Sequence, residues 1–365
     1  MISPLYLDSD IREIATRLAS ETRPLAGATV LLTGGHGFLG RYLVALCGYL
    51  NAHVLRAPCR LIVIDNHITS GKVRAGRPRG AWYRFIKHDV IRPLTVGEPV
   101  DFIIHAAGIA SPQYYRKYPL ETLEVSTAGT KNMLLLGRGH RLKGFLFFSS
   151  SEIYGDPDPR CVPTPESYRG NVSCLGPRAC YDESKRVGET LCRIFYELHR
   201  VPARIVRPFN VYGPGMQPTD YRVLPNFAGR IIAGDPLHIY GSGKQTRTFC
   251  YITDAIVGFM KVLLRGRSGE AYNIGNPVPE ISMLDLARML EQVLDRRLDI
   301  RLVKHPAAYP ADEPQRRCPD IAKAATGLDF QPIVRLEDGL QRFMDWAQHT
   351  YAAPKRKRSI ISRAG

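Results

Sequence analysis

Short apolar runs alternate with amphipathic stretches over residues 28–207. Runs at 28–33, 61–65, 101–105, 144–149 and 203–207 read as strands, and 83–87 as a weaker one. Between them, 38–50, 120–136 and 181–199 carry apolar residues at helical spacing. A strand that is apolar throughout has no face left for water, so it belongs in a parallel sheet covered on both sides. The pattern predicts an α/β fold: a Rossmann-type doubly wound parallel sheet over 28–207 with a smaller C-terminal α/β lobe. Beyond 208 the rhythm breaks, and Pro and Gly become frequent. Helices near 222–233, 254–265, 282–296 and 335–350, with isolated strands at 237–240 and 271–274, predict a substrate lobe over 208–350.

The two ends stand apart. Residues 8–22 place Ile11, Ile14, Ala15 and Leu18 on one helical face, and Pro24 and Gly27 end the helix. This extension, 1–27, either packs on the main domain or takes a partner, the first being favoured. It has no basic region followed by an apolar run, so no secretory leader is expected. No window reaches the roughly 18 apolar residues of a membrane span. The basic tail, 351–365, is expected to be disordered.

Composition changes the picture in two places. The formal charge of +16 suits an anionic partner, whether nucleic acid, a lipid surface or a phosphorylated small molecule. Lys355, Arg356, Lys357, Arg358 and Arg363 put part of that charge in the tail, where a solvated reading is preferred and no nucleic acid is expected. The eight cysteines form no C-x-x-C pair, which argues against a zinc ribbon or redox dithiol. They fit a reducing cytoplasm, and no metal is expected.

The first strand runs into Gly34, Gly37 and Gly40, spaced G-x-x-G-x-x-G, and the helix opening with Phe38 and Leu39 follows. Glycines there permit a tight turn and close approach of the backbone to a pyrophosphate, which then faces a helix N-terminus. Asp65 ends the second strand, where a carboxylate accepts from ribose hydroxyls and repels a 2′-phosphate, favouring NAD over NADP. Asn66 follows it. Asp89 and Val90 follow the third strand; Asp89 reads equally as an adenine contact or a turn cap. His105-Ala106-Ala107-Gly108 closes the fourth strand with small residues that let the backbone pass a cofactor. Arg74, Arg77 and Arg79 in the basic loop 66–82 read equally as phosphate ligands or a solvated loop.

Tyr181 and Lys185 form Y-x-x-x-K, one helical turn apart on one face. A neighbouring ammonium favours phenolate, and such a Tyr takes a proton from a hydroxyl as hydride leaves the same carbon. The fifth strand ends in Ser149-Ser150-Ser151-Glu152. A hydroxyl at that strand end sits beside the same substrate. Ser150 is the candidate for holding the reacting oxygen, with Ser151 beside it, and Glu152 is the candidate second acid or base.

Taken together, HDVIRPL (88–94), SSSEIYGDP (149–157), GPRACYDESKR (176–186), RPFNVYGPGM (207–216), YGSGKQTRTFCYITD (240–254) and DEPQRRCPDI (312–321) resemble the extended short-chain dehydrogenase/reductase family. The resemblance lies in its nucleotide-sugar branch, with the UDP-glucuronate decarboxylases as the nearest group. It implies NAD, a UDP-sugar substrate and an internal redox cycle giving UDP-xylose or the UDP-4-keto-pentose, with a 4,6-dehydratase or epimerase of a UDP- or dTDP-hexose, or a non-catalytic NAD-binding scaffold, as the alternatives. Tyr181, helped by Ser150 and Lys185, deprotonates the sugar 4-hydroxyl, CO2 leaves, and carbon 4 is reduced again. Glu152 then orients the sugar or relays a proton. The resemblance places the nucleotide on Asn210, Arg222, Asn226, Arg247 and Tyr251, with Arg178, Tyr240 and Arg317 completing the substrate side. It also implies a homodimer through the helices at 120–136 and 181–199. The chain departs from the family pattern at Ser126, Gly108-Ile109, Pro177 and Gly215, where Asn, Cys-Pro, Glu and Arg are usual.

Overall fold

The computed structural model describes residues 3, 5–70, 78, 80–304 and 314–351. Seven strands form one parallel sheet: β1 (Thr29–Thr33), β2 (Arg60–Asp65), β3 (Tyr83–Lys87), β4 (Phe102–His105), β5 (Gly144–Phe148), β6 (Ala203–Pro208) and β7 (Ala271–Ile274). Their order is β7-β6-β5-β4-β1-β2-β3. The chain starts in the middle and winds outward both ways, so a crevice opens at the carboxyl ends of β1 and β4. Alternation decides which core each side chain joins. Leu31, Ile64, Ile103, Phe145, Phe147 and Ile205 pack on one face. Leu32, Val63, Ile104, Leu146, Phe148 and Val206 pack on the other.

The helices are α1 (Asp8–Leu18), α2 (Phe38–His53), α3 (Pro112–Lys117), α4 (Pro119–Ser126), α5 (Ala128–Arg138), α6 (Ala179–His199), α7 (Val223–Ala233), α8 (Ile252–Arg265), α9 (Met283–Val293), α10 (Ala322–Leu328) and α11 (Leu336–Thr350). The single helix expected over 120–136 is two. Thr127 returns its Oγ1 to the Leu123 carbonyl at 2.9 Å, and its backbone turns to φ −105°, ψ −79°. A threonine bonded to the carbonyl four residues back bends a helix.

Neither strand expected to be isolated is so. Ala271–Ile274 is β7, running parallel to β6 from Ala271↔Ile205 to Ile274↔Pro208. Leu237–Tyr240 pairs with Ile300–Val303. Both partners lie far away in sequence, so a run of four residues carries no sign of them. Because α8 and β7 pack on the central sheet, residues beyond 208 contribute to both layers. Arg74, Arg77, Arg79 and the tail from 352 lie outside the described residues. Among the described residues no helix is long and apolar enough to cross a membrane.

The N-terminal helix packs against α2 and α8 through Ile11, Ile14, Ala15 and Leu18. Its fully buried Asp10 accepts hydrogen bonds from the Tyr42 hydroxyl at 3.2 Å and the Tyr251 hydroxyl at 2.9 Å. Arg342 Nη1 lies 3.5 Å from Asp10 and 2.7 Å from Glu13. Burial pushes the Asp10 carboxyl up from 3.8 to about 6, against the pull of Tyr251 and Arg342. An acid raised on folding favours the folded chain at low pH. That contribution is complete below the unfolded value and gone above the folded one, a difference of about 3 kcal/mol. Asp10→Asn, which mimics the protonated acid, is therefore expected to melt with the wild type at pH 4 and above it at pH 8. A lower melting temperature at pH 8 would mean that Arg342 needs the charge.

Candidate active site

The strand–turn–helix after β1 has almost no spare room. Gly34 adopts φ +71°, and its N–H donates to the Ile64 carbonyl at 2.8 Å. A Cβ on Gly34 would stand 2.8 Å from the Ala106 oxygen, and one on Gly40 would stand 2.2 Å from the Gly34 oxygen. Glycine therefore brings β1, β4 and the first turn of α2 together, and the free N–H groups of Phe38, Leu39 and Gly40 face the crevice end. An open cleft of about 610 Å³ follows, and Gly34, Gly37, Asp65, Asn66, Asp89, Val90, Ala106 and Ala107 all line it.

Donors already surround the Asp65 carboxylate: the His36 N–H at 3.0 Å, the His67 N–H at 2.8 Å and the Ser70 hydroxyl at 3.2 Å. Asn66 donates to Asp89 at 2.9 Å, while the other Asp89 oxygen accepts from the Ile91 N–H at 3.2 Å. Asp89 thus caps its own turn, as one of its two readings had it, and still borders the cleft. His36, Asp65 and His67 also gather within ligand distance of one another, which sequence spacing did not suggest. The two imidazoles stack at 5.0 Å and 27° instead of converging on a point. The cleft, the side-chain-free turn and the helix end fit a dinucleotide, and the Asp65 charge opposes a 2′-phosphate.

At the carboxyl end of β5, Ser150 accepts from the Glu152 N–H at 3.2 Å, and its side chain pulls the Tyr181 phenol down. Ser151 is buried at the start of the 3₁₀ turn Ser151–Tyr154, and Ser150 is the serine that acts on the Tyr181 phenol. The Tyr181 ring stacks on Tyr115 at 5.8 Å and 18°. Lys185 is buried; its Nζ donates to the Phe148 carbonyl at 2.8 Å and lies 5.7 Å from the centre of the Tyr181 ring.

The expected depression of Tyr181 by Lys185 is not what the chain's own groups produce. Burial raises the phenol above its ordinary value, and Asp182 and Tyr115 add to this, whereas Ser150 and Arg222 pull it down. The reason is dehydration: the hydroxyl is enclosed, while the ammonium is turned to the Phe148 carbonyl. Burial also pushes Lys185 down to about 8, with the Glu189 carboxylate opposing.

Two arginines clamp Glu152. Arg317 holds it with both guanidinium arms, Nη2 to Oε2 at 2.8 Å, and Arg178 binds the same carboxylate from the start of α6. With both oxygens engaged, Glu152 anchors Arg178 and Arg317, which argues against the acid or base role raised for it. Arg317 pairs in parallel with Arg247 in a small sheet of Thr246–Arg247, Arg316–Arg317 and Ile281–Ser282. Arg247 donates to the Thr246 carbonyl at 2.8 Å. Arg222 is bonded to Asp220 at 2.5 and 3.0 Å, lies 6.0 Å from the Phe38 ring, and acts on Tyr181 through its charge. Asn226 is one turn further along α7, half-buried. Asn210 turns its amide to the Thr248 carbonyl at 2.8 Å, and half-buried Tyr240 ends its strand.

Tyr251 is a correction. Its hydroxyl is spent on Asp10 and its ring packs edge-on against Tyr212 at 5.5 Å, so it anchors α1 instead of contacting a substrate. The unusual Gly215 has a similar cause: at φ +97°, a Cβ there would stand 2.3 Å from the Leu5 oxygen. The N-terminal segment fills the space of a side chain. Sequence reasoning missed Tyr115, which nothing local marks, and Asp220, whose Asp-x-Arg spacing to Arg222 was a usable sign.

A doubly wound sheet with a serine, tyrosine and lysine gathered at its crevice defines a nicotinamide-dependent class, and the chain belongs to the NAD dependent epimerase/dehydratase family, whose model matches residues 30–275. It is 39% identical over 317 residues to UDP-glucuronic acid decarboxylase 5 of Arabidopsis thaliana, covering 85% of this chain and 86% of that one. It is 39% identical over 316 residues to UDP-glucuronic acid decarboxylase 1 of Xenopus tropicalis, covering 86% and 70%. Among solved structures, UDP-glucuronic acid 4-epimerase from Bacillus cereus, in complex with UDP-glucuronic acid and NAD, is similar at a TM-score of 0.71 and 26% identity, covering 88% of this chain and 100% of that one.

Proposed function

We propose that this chain decarboxylates UDP-glucuronate to UDP-xylose or the UDP-4-keto-pentose. The observation that carries the reading is an intact Ser150–Tyr181–Lys185 group beside the Arg178–Glu152–Arg317 clamp. The similarity to two UDP-glucuronic acid decarboxylases supports it.

NAD, when bound, supplies the acceptor that takes hydride from carbon 4 and the donor that returns it. Tyr181 takes the proton of the 4-hydroxyl, and Ser150 holds that oxygen in place. Lys185 sets positive charge near the phenol as it ionises. Arg178 and Arg317, oriented by Glu152, hold the sugar or its diphosphate while the 4-ketone accepts an electron pair, CO2 leaves, and the resulting enolate takes a proton from water at carbon 5 to restore the 4-ketone. Arg222, Asn226, Asn210, Arg247 and Tyr240 form the nucleotide side. Tyr181 delivers its proton back when carbon 4 is reduced.

The chain is read as a homodimer, because Leu120 and Leu123 on α4 and Ile194 and Leu198 on α6 are large apolar side chains left exposed on neighbouring helices. Eight free cysteines support a reducing compartment such as the cytoplasm. A second reading, 4-epimerisation of the same sugar nucleotide, is favoured by the similarity to UDP-glucuronic acid 4-epimerase.

Incubation with UDP-glucuronate and NAD+ decides between them. The expected product is lighter by one CO2, with NAD+ regenerated. Loss of CO2 and two hydrogens with NADH accumulating means release of the 4-keto sugar. An isomer of unchanged mass means epimerisation, and no CO2 sinks the decarboxylase reading. On a sizing column the same preparation is expected to elute as a dimer.

A further inference from the structure

Helix α6 presents Tyr181, Lys185 and Glu189 at successive turns of one face. Each grips a consecutive residue at the end of β5. Lys185 donates to the Phe148 carbonyl at 2.8 Å, Glu189 accepts from the Ser149 hydroxyl at 2.5 Å, and the Tyr181 phenol is pulled down by the Ser150 side chain. The rest of the Glu189 carboxylate is filled from β6: Arg207 Nε reaches Oε1 at 2.9 Å and Nη2 reaches Oε2 at 2.6 Å. Arg207 continues to the Tyr154 hydroxyl at 2.6 Å, which donates to Asn273 of β7 at 2.8 Å. One half-buried carboxylate thus ties the catalytic helix to the ends of three adjacent strands.

On the reading of the site given above, we propose that Glu189 is a positioning residue for the reaction, fixing Ser149 so that Ser150 meets Tyr181 and facing Lys185 with a negative charge. In this role Glu189 acts through its neighbours, Ser149 and Arg207. Lys185 is faced by Tyr181 and Glu189 from its own helix, by His105 from β4 and by the Phe147 ring, 5.2 Å away, from β5. His105 bonds Thr33 at 2.7 Å, and burial pushes it down to about 3, so it is neutral at working pH. Burial lowers Lys185 to about 8, and Glu189 is the group that draws it back up. Removing the Glu189 charge therefore leaves less ammonium at neutral pH.

The test uses the full chain with carbon-13-labelled lysine, following the Lys185 signal by NMR as pH is raised and identifying it by its absence in Lys185→Met. In Glu189→Gln the midpoint is expected at lower pH than in the wild type, and turnover is expected to fall by about 10²-fold as the reacting groups lose alignment. Glu189→Asp is expected to bring the midpoint back toward the wild-type value. Ser149→Ala is expected to leave the midpoint in place and lower turnover by about tenfold, with NAD+ affinity unchanged. An unmoved midpoint in Glu189→Gln overturns the role of the charge. Wild-type turnover in Ser149→Ala overturns the alignment, and that variant decides even if Glu189→Gln does not fold. A wild-type protein that releases no CO2 refutes the substrate reading and still leaves the Lys185 titration to judge Glu189.

Discussion

Phenylalanine at position 181 is expected to lower turnover by about 10²–10⁴-fold, the usual worth of a general base, with the melting temperature and NAD+ affinity close to wild type. The substitution removes one oxygen. The ring keeps its stack on Tyr115, and the helix keeps Lys185 on the Phe148 carbonyl. The lost oxygen is the one whose proton Ser150 makes easier to remove. Because burial raises the phenol, wild-type activity is expected to rise with pH as the base is uncovered. Ser150→Ala removes a group that pulls the phenol down, so its pH profile is expected to shift further toward alkaline pH. Single-turnover oxidation of UDP-glucuronate, followed as NADH absorbance across pH, checks both. Wild-type rates in Tyr181→Phe would remove Tyr181 from the chemistry.

The fold was legible where a pattern is local. Apolar strands and 3.6-residue spacing located six strands of the sheet and its main covering helices, since each buries its own face. Pairing between distant segments was not legible, so β7 was read as isolated although it lies beside β6. The site divided along the same line. Gly34, Asp65, Ser150, Tyr181 and Lys185 follow from spacing within one turn or at one strand end. Tyr251 sat in a matching motif, yet its hydroxyl is claimed by Asp10, which lies in a segment the motif does not include. The acid-or-base reading of Glu152 faded for a related reason, because Arg317 reaches it from far along the chain. Glu189 was within reach, being one further turn along the Tyr181–Lys185 face, but only the fold shows that Ser149 and Arg207 meet it.

Gly40→Ala is expected to abolish most NAD+ binding. The added carbon would stand 2.2 Å from the Gly34 oxygen and 2.6 Å from the Gly35 Cα, and both are backbone atoms of the turn itself. No side chain can swing aside, so α2 must retreat from β1, and the N–H groups at its start leave the pyrophosphate position. Alanine does favour a helix over glycine by about 1 kcal/mol. That gain is set against backbone overlap, and a displacement on the order of 1 Å already costs about 10²-fold where groups must be aligned. Calorimetric titration with NAD+ is expected to show at least that loss, with a lower melting temperature. Gly48→Ala, eight residues further along the same helix, separates the two effects. Its Cβ would meet only the Trp82 ring edge at 3.3 Å, so it takes the helical gain without touching the turn. It is expected to bind NAD+ like the wild type. If Gly40→Ala binds equally well, the contact between α2 and β1 does not form the cofactor cradle, and the dinucleotide must be held elsewhere along the cleft.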